Sequence, residues 1–285
     1  MTTREAQQQA YTQLHQLYDA RESSNIADWI IEHITGLRRV DRLVNNNAPL
    51  TAEQQDLLTS ILQQASTHKP IQYILGEAWF AGMKFFVNDS VLIPRPETEE
   101  LVDWIITETK TRRTGNAQLL DIGTGSGCIP VSLKKSLPEL SITTLDVSDE
   151  ALVVAKKNAE TLGADIQFRS IDFLDESLWK ELPLYDVIVS NPPYIKESES
   201  TAMSPNVLRF EPHLALFVPD EDALLFYRKI ASFGKNHLKP GGMIFLEINE
   251  ALGKDVTELF TKQDYSVSLK KDLQGKDRMI KARLI

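Results

Sequence analysis

From residue 117 onward, short apolar runs alternate with longer segments whose apolar positions recur every three to four residues. The runs are typical of buried strands, and the longer segments of helices packed on a sheet. Strands are predicted at 118–122, 141–145, 165–169, 185–189 and 243–247, with two late strands near 265–269 and 279–284. Helices are predicted near 129–136, 148–162, 223–238 and 251–261. This alternation predicts a doubly wound α/β sheet of seven strands, with extra strands after the last helix.

The first 75 residues show only the helical spacing, as in Ile26, Ile30 and Ile34. Thr51 is followed three residues later by Gln54, the pattern of a capping box at a helix start. We therefore predict a small all-helical bundle over 1–75. Such a bundle can bind a partner or substrate, or can only shield the second domain, and the pattern does not separate these two interpretations.

An aromatic and β-branched segment separates the helical part from the sheet. Within it, Ala81-Gly82-Met83-Lys84 predicts a hairpin turn, so 76–95 is expected to be a hairpin linker. Pro96 fits the first turn of the next helix, with Glu97 beside its positive end. A polar linker is predicted at 110–116, and the whole of 96–285 is expected to form the second domain.

The composition bounds the class of protein. The chain has 285 residues, of which 42% are hydrophobic and 25% charged, as in ordinary globular proteins. A single cysteine, Cys128, excludes an internal disulfide framework and a cysteine-based zinc cluster. No apolar run is long enough for a membrane span, and the polar amino terminus lacks a signal-peptide core. The net charge of −9 argues against broad nucleic-acid binding. We expect a cytoplasmic protein with no metal site, and a monomer by default.

A glycine-rich loop follows the first predicted strand of the sheet, with the sequence Asp121-Ile122-Gly123-Thr124-Gly125-Ser126-Gly127. Its glycines allow the backbone to approach a ligand closely where a helix begins. The dinucleotide fingerprint fails, because Cys128 and Pro130 stand where its third glycine is required. An acidic residue at the mouth would repel a pyrophosphate, whereas it suits the ammonium group of S-adenosylmethionine.

Acidic and aromatic residues end the next two predicted strands. Asp146 lies about 20 residues after the loop, at the spacing where a carboxylate binds ribose hydroxyls. Asp172 and Phe173 end the third strand, where they suit the amine and the flat face of an adenine. Each alone has an ordinary alternative, since Asp146 can cap a helix and Phe173 can be core. Together on successive strand tips, they predict a nucleoside site.

The stretch Asn191-Pro192-Pro193-Tyr194 follows the apolar run 185–189, a predicted central strand. Prolines end the strand because they cannot donate to a ladder. Asn191 and the Pro192 carbonyl supply hydrogen-bond acceptors, and Tyr194 supplies a flat face. This set suits a planar NH₂ group, either a carboxamide or an exocyclic base amine. Alone, the stretch would be better explained as a turn; the glycine loop favours a site.

These motifs resemble those of amino-methyltransferases that use S-adenosylmethionine. Three further stretches are similar to the release factor glutamine methyltransferase family (PrmC/HemK) over nearly the whole chain. They are Pro-Ile-Gln-Tyr-Ile-Leu-Gly at 70–76, Val-Leu-Ile-Pro-Arg-Pro-Glu-Thr-Glu at 91–99, and Arg-Phe-Glu-Pro at 209–212. The chain departs from the family at Phe173, where tryptophan is common, and at Pro130, which only a first helical turn tolerates.

The resemblance implies a Rossmann-like methyltransferase domain behind a helical domain and a hairpin. It implies methylation of the N5 amide of the glutamine in the Gly-Gly-Gln motif of peptide chain release factors, with S-adenosylhomocysteine as product. The implied cofactor-binding residues are Asp121, Gly123, Thr124, Gly125, Ser126, Gly127, Asp146, Asp172, Phe173 and Asn191. The implied catalytic and substrate-binding residues are Asn191, Pro192, Pro193 and Tyr194.

Alternatives stay open at this point. An adenine or cytosine amino-methyltransferase acting on nucleic acid uses the same chemistry, although the acidic charge and the lack of a basic recognition insert disfavour it. A ribosomal-protein glutamine methyltransferase is a close neighbour, and a binding protein without turnover is a different class. Arg95 and Glu97 are equally consistent with a ligand role and with a helix cap plus an interdomain ion pair.

Overall fold

The computed structural model describes residues 1–44, 47–112 and 116–285. The described chain divides into two compact units. The smaller comprises Met1–Glu77 and Ser204–Phe210, and the larger comprises Ala78–Met203 and Glu211–Ile285. The sequence-based boundaries at 1–75, 76–95 and 96–285 stay predictions.

The smaller unit is helical, as the spacing of its apolar residues predicts. Its first five helices are α1 (Thr3–Leu14), α2 (Ala20–Thr35), α3 (Arg39–Val44), α4 (Ala52–Ala65) and α5 (Ile71–Leu75). The predicted capping box is present, since Thr51 accepts the Gln54 N–H and the Gln54 side chain accepts the Thr51 N–H. Buried alanine, leucine and isoleucine side chains from α1, α2, α4 and α5 form one core.

The next elements are a hairpin and a helix. Strands β1 (Glu77–Phe80) and β2 (Met83–Phe86) are joined by Ala81 and Gly82, whose φ angles of 48° and 71° are left-handed, as in a two-residue hairpin turn. The predicted turn is confirmed. Helix α6 (Pro96–Arg112) begins at the predicted proline. The predicted linker at 110–116 is wrong for 110–112, because these polar residues continue the helix; residues 113–115 lie outside the described residues.

The remaining elements build an α/β sheet. The strands are β3 (Gln118–Ile122), β4 (Ser141–Asp146), β5 (Gln167–Ser170), β6 (Tyr185–Ser190), β7 (Ile195–Lys196), β8 (Phe217–Val218), β9 (Leu238–Glu247), β10 (Tyr265–Lys271) and β11 (Asp277–Leu284). The helices are α7 (Cys128–Ser136), α8 (Asp149–Leu162), α9 (Pro205–Phe210, in the smaller unit), α10 (Leu225–His237) and α11 (Gly253–Thr261). Seven strands form one mixed sheet in the order β10-β11-β9-β6-β3-β4-β5. The predicted fold class is confirmed.

Two apolar cores cover the faces of this sheet. Successive residues of a strand point to opposite faces, and Leu119 and Leu120 accordingly belong to different cores. Buried residues of α6, α7 and α8 pack in one core, and those of α10 and α11 in the other. The sheet is therefore covered by helices on both sides, and β6 and β3 run through its middle with parallel neighbours.

Some boundaries differ from the predictions. β5 begins at Gln167 rather than at 165, because Gly163 ends α8 in a left-handed conformation and a short turn follows. β9 begins at Leu238 rather than at 243, since Leu238 already pairs with Tyr185 ahead of a register shift. β7 and β8 have two residues each, too few to produce a recognisable pattern. Across the described ranges, no helix combines the length and apolarity that a membrane span requires.

Candidate functional site

A cavity of about 280 Å³ opens at the carboxyl edge of the sheet in the larger unit. This is the edge where open α/β sheets bind ligands. Ten of the residues predicted from sequence line it: Gly123, Thr124, Gly125, Ser126, Asp146, Asp172, Phe173, Asn191, Pro192 and Pro193. Three predicted residues, Asp121, Gly127 and Tyr194, lie outside its wall.

The glycine loop forms one wall of the cavity between β3 and α7. Gly123, Gly125 and Gly127 have φ angles of 76°, 52° and 78°, in the left-handed region that favours glycine. At Gly127 a Cβ atom would lie 3.1 Å from the Cβ of Ala155, so this glycine also allows α7 to approach α8. The loop backbone is thus bent towards the cavity by glycines that serve two different purposes.

Three polar atoms in and below this loop are buried without a hydrogen-bond partner in the described structure. They are the Thr124 hydroxyl, the Ser126 hydroxyl and Asp121 Oδ1. A buried polar group without a partner is costly, and it commonly marks a site that a ligand or water completes. The loop therefore has two hydroxyl groups without a partner in residues that line the cavity, and one unpaired carboxylate oxygen lies below it, outside the cavity wall.

Asp121 is completely buried, and its Oδ2 accepts the Thr144 hydroxyl at 2.6 Å. Its predicted position at the mouth of the site is wrong, because Thr144 on the neighbouring strand holds the carboxylate within the sheet. Burial raises the pKa of Asp121 to about 7, although the hydrogen bond from the Thr144 hydroxyl opposes this rise. The side chain can act on a ligand through its charge, from behind the loop.

Asp146, at the tip of β4, holds the glycine loop in place. Its Oδ2 accepts the Gly125 N–H at 2.9 Å, and its Oδ1 accepts the Ser148 N–H at 3.0 Å. A carboxylate has about four lone-pair positions, so both oxygens can still accept hydroxyl groups from the cavity. The helix-capping alternative for Asp146 is wrong, because Ser148 is the N-cap of α8 and its hydroxyl accepts the Ala151 N–H.

The third strand brings Asp172 and Phe173 to the same cavity. Asp172 is exposed, and its Oδ1 accepts the Leu174 N–H at 2.9 Å. Phe173 is only 5% exposed and stacks on Trp179 with 5.3 Å between ring centroids. Phe173 is thus largely a core residue, and only its cavity-facing part is available to a ligand.

Asn191, Pro192 and Pro193 follow β6 directly, at the centre of the sheet. The Ser190 hydroxyl donates to the Ile122 carbonyl at 2.7 Å, which joins this strand tip to the start of the glycine loop. Asn191 Nδ2 donates to the Thr98 hydroxyl at 3.2 Å. Among the described residues, Asn191 Oδ1 accepts no hydrogen bond, so the carbonyl end of this amide is available in the cavity.

Tyr194 differs from its neighbours. Its ring packs on the apolar core below the sheet edge, and its hydroxyl donates to Glu247 Oε1 at 3.3 Å. Burial and the nearby Glu247 carboxylate raise the pKa of Tyr194 far above its ordinary value, so the phenol stays protonated. Its predicted contact with a substrate amide stays a prediction.

Arg95 lines the cavity and forms a charged pair inside the larger unit. Both oxygens of the Glu211 carboxylate accept from Arg95 Nη2, at 2.6 and 2.8 Å, and Oε2 also accepts the Ile93 N–H at 3.3 Å. The Glu211 side chain is almost fully buried, whereas a third of Arg95 is exposed. The anticipated ion pair therefore joins two segments of one unit, and Glu97 does not line the cavity.

Sequence reasoning assigned no role to several residues at the site. Thr98 and Glu247 contact the Asn191 stretch, and Leu214 and Phe226 line the cavity. Glu247 carried a usable signal, because it ends the apolar run 243–246 at a strand tip, as Asp121 and Asp146 end theirs. Leu214 and Phe226 had none, since neither lies in a motif.

Comparison with known proteins gives two family matches. Residues 5–76 match the model of the PrmC N-terminal domain, and residues 103–209 match the model of the methyltransferase small domain. These two matches fall in the helical part and in the part that carries the glycine loop and the Asn191 stretch.

Curated relatives match nearly the full length. A release factor glutamine methyltransferase from Flavobacterium psychrophilum is 47% identical over 271 residues, 94% of this chain and 94% of the relative. One from Bacteroides thetaiotaomicron is 44% identical over 270 residues, 94% of this chain and 95% of the relative.

Among solved structures, a T. thermophilus 16S rRNA N2 methyltransferase in complex with AdoMet and guanosine has a TM-score of 0.52 at 19% identity, covering 73% of this chain and 50% of its own. That likeness shows the fold alone.

Proposed function

The chain belongs to the release factor glutamine methyltransferase family, and we propose that it methylates the N5 amide of the glutamine in the Gly-Gly-Gln motif of peptide chain release factors. The observation that carries this proposal is the shared cavity of the glycine loop and Asn191–Pro193. One wall suits a cationic nucleoside, and the other presents acceptors for a primary amide. We propose that this methyl transfer takes place in the cytoplasm, where release factors act, and that the active protein is a monomer.

The cavity fits S-adenosylmethionine on the observations above. The unpaired Thr124 and Ser126 hydroxyls and the charge of Asp121 suit its amino-acid end. Asp146 would accept its ribose hydroxyls, and Asp172 with the accessible part of Phe173 would hold its adenine. When bound, S-adenosylmethionine supplies the methyl group as an electrophile.

The acceptors at the end of β6 explain how an amide nitrogen is selected. Asn191 Oδ1 and the Pro192 carbonyl would each accept one N–H of the substrate amide. Two such bonds fix the plane of the amide and its distance from the methyl group. They also stabilise the positive charge that develops on the nitrogen as the new bond forms. The proton that leaves the methylated nitrogen goes to solvent.

The test is methyl transfer from labelled S-adenosylmethionine to a purified release factor. Its Gln→Ala tip variant and a duplex DNA serve as parallel acceptors, and a ribosomal protein as a third. We expect label only on the wild-type release factor. Label on DNA or on the ribosomal protein instead would contradict the assigned substrate, and binding without transfer to any acceptor would favour a protein without turnover.

Asn191→Ala tests the assigned residue. Loss of one acceptor that acts in the transition state commonly lowers kcat by about 10²–10³-fold, and we expect a loss in this range. Asn236→Ala, at an exposed position on α10, is the matched control and should keep wild-type turnover. Near-normal turnover of Asn191→Ala would remove the proposed role.

A further inference from the structure

A series of hydrogen bonds connects Asn191 to Thr98 and Thr98 to Glu247, two buried residues to which the sequence assigned no role. Thr98, in the first turn of α6, is 2% exposed, and its hydroxyl oxygen accepts from Asn191 Nδ2 at 3.2 Å. The same hydroxyl donates to Glu247 Oε2 at 2.6 Å. Glu247 ends β9 and is 2% exposed, so this chain of hydrogen bonds is shielded from solvent.

The donor and acceptor roles in this series of hydrogen bonds follow from the single proton of the Thr98 hydroxyl. A hydroxyl carries one proton, and a carboxylate can only accept, so the Thr98 proton points at Glu247. The Thr98 oxygen can then only accept, and its remaining neighbour, the Asn191 amide, must present its NH₂ end. A flipped amide would place Asn191 Oδ1 against the Thr98 oxygen with no proton between them, which is repulsive.

We propose that Thr98 and Glu247 are positioning residues that fix the Asn191 amide with its carbonyl oxygen towards the substrate. This inference rests on the proposed function, in which Asn191 Oδ1 accepts a substrate N–H. If the Asn191 amide could flip, its NH₂ group would face the NH₂ group of the substrate for part of the time. Two donors facing each other repel, so the substrate amide would bind less well. Ionised Glu247 fixes the orientation because it cannot donate. Burial raises the pKa of Glu247, while the hydrogen bonds from Thr98 and Tyr194 favour its ionised form.

Glu247 is itself held by a second donor. Its Oε1 accepts the Tyr194 hydroxyl at 3.3 Å, and Tyr194 follows Asn191 by three residues in the same stretch. The carboxylate therefore bridges α6 and the end of the Asn191 stretch. This bridging gives Tyr194 a function in the motif that needs no contact with the substrate.

The test compares Thr98→Val with Thr98→Ser at saturating S-adenosylmethionine and release factor. Valine keeps the shape and removes the hydroxyl, whereas serine keeps the hydroxyl. For Thr98→Val we expect kcat to fall about tenfold, which is the scale of one lost hydrogen bond. The Kd of S-adenosylmethionine should change less than threefold. Thr98→Ser should restore kcat to within about threefold of the wild type.

A double-mutant cycle with Asn191→Ala separates positioning from general support of the fold. If Thr98 acts through Asn191, then adding Thr98→Val to Asn191→Ala should cost nothing further. Equal losses in both backgrounds, or wild-type kcat for Thr98→Val, would overturn the positioning role of Thr98 and Glu247 while leaving the role of Asn191 intact. Near-normal turnover of Asn191→Ala would remove the role of Asn191 and with it the positioning role of Thr98 and Glu247, whereas only a failure of the wild type to methylate a release factor would overturn the proposed function.

A measurement on the wild-type protein covers the case in which Thr98→Val does not fold. The side-chain NH₂ signals of Asn191 are assigned in a ¹⁵N spectrum by their loss in Asn191→Ala. We expect two separate proton signals, one of which exchanges slowly with solvent because Thr98 accepts it. Rapid exchange of both protons would overturn the fixed orientation.

Discussion

Replacing Asp121 by asparagine should stabilise the protein and weaken its cofactor site at the same time. The carboxylate is completely buried, and one of its oxygens has no partner among the described residues. Its pKa is raised from 3.8 to about 7, mainly by burial. Asparagine has nearly the same shape and never carries the charge, so the variant removes the cost of ionisation and the attraction for a cation together.

The sign and size of the stability effect follow from linkage. In the unfolded chain Asp121 ionises near its ordinary pKa, whereas in the fold it keeps its proton until about pH 7. The wild type therefore loses stability as the pH rises between these two pKa values, and the loss levels off above the folded value. Between pH 5 and pH 8 this amounts to about 2 to 3 kcal/mol. The Tm advantage of Asp121→Asn should thus widen by about 5–10 °C over that interval.

The effect on the cofactor runs the other way. A charge pair at an effective dielectric constant of 20 is worth about 4 kcal/mol at 4 Å and proportionally less at a longer distance, so we expect at least a tenfold weaker Kd for S-adenosylmethionine at pH 8. The deficit should shrink towards pH 5, where the wild-type carboxyl is itself neutral.

Calorimetric titration and thermal melts at pH 5, 6.5 and 8 measure both effects. Asp103→Asn, at an exposed position on α6, is the control for loss of one negative charge and should change neither quantity. A Tm difference between Asp121→Asn and the wild type that stays constant with pH would refute the account of burial. Wild-type affinity of Asp121→Asn at pH 8 would refute the role assigned to the charge.

Two further variants probe how the glycine loop is held. Asn158→Ala should lower the free energy of unfolding by about 3 kcal/mol, because this buried side chain makes three hydrogen bonds to main-chain groups of the hairpin and the loop; denaturant unfolding measures it, and an unchanged midpoint would contradict it. Gly127→Ala combines a left-handed φ with a close approach to Ala155, whereas Gly163→Ala has the φ alone. Gly127→Ala should therefore cost about 1–2 kcal/mol more than Gly163→Ala, and equal losses would exclude the contact.

The fold could be predicted from sequence wherever a pattern of apolar residues was long or was bounded by proline. The run 185–189 followed by two prolines indicated a central strand, and Pro96 indicated the start of a helix. The segment 195–218 gave no such signal, since its strands have two residues each and take their conformation from pairing with one another. The linker predicted at 110–116 shows the opposite error, because polarity does not end a helix that still forms its own hydrogen bonds.

The site was predictable in its motifs and not in its contacts. Residues on successive strand tips were expected to meet because parallel strands end at one edge, and Asp146, Asp172 and Asn191 line one cavity. The position of Asp121 behind the loop depends on the hydroxyl of Thr144 on the adjacent strand, and no local pattern reports such a pairing. The contact of Thr98 with Glu247 joins residues 149 positions apart, and no local sequence pattern predicts it either.

The three acidic strand tips differ in how many donors the protein gives them, and this difference separates their uses. Asp146 has one N–H on each oxygen and faces the cavity, so it holds the loop and keeps lone pairs for a ligand. Glu247 has a hydroxyl on each oxygen and lies outside the cavity wall, so its acceptor capacity is directed at neighbouring side chains. Asp121 alone keeps one oxygen without a donor. Burying an unpaired charge destabilises a fold, and Asp121 accordingly keeps its proton until about pH 7. The charge that develops above this pH lies behind the glycine loop, where the cationic amino-acid end of the proposed cofactor would balance it without contacting the carboxylate.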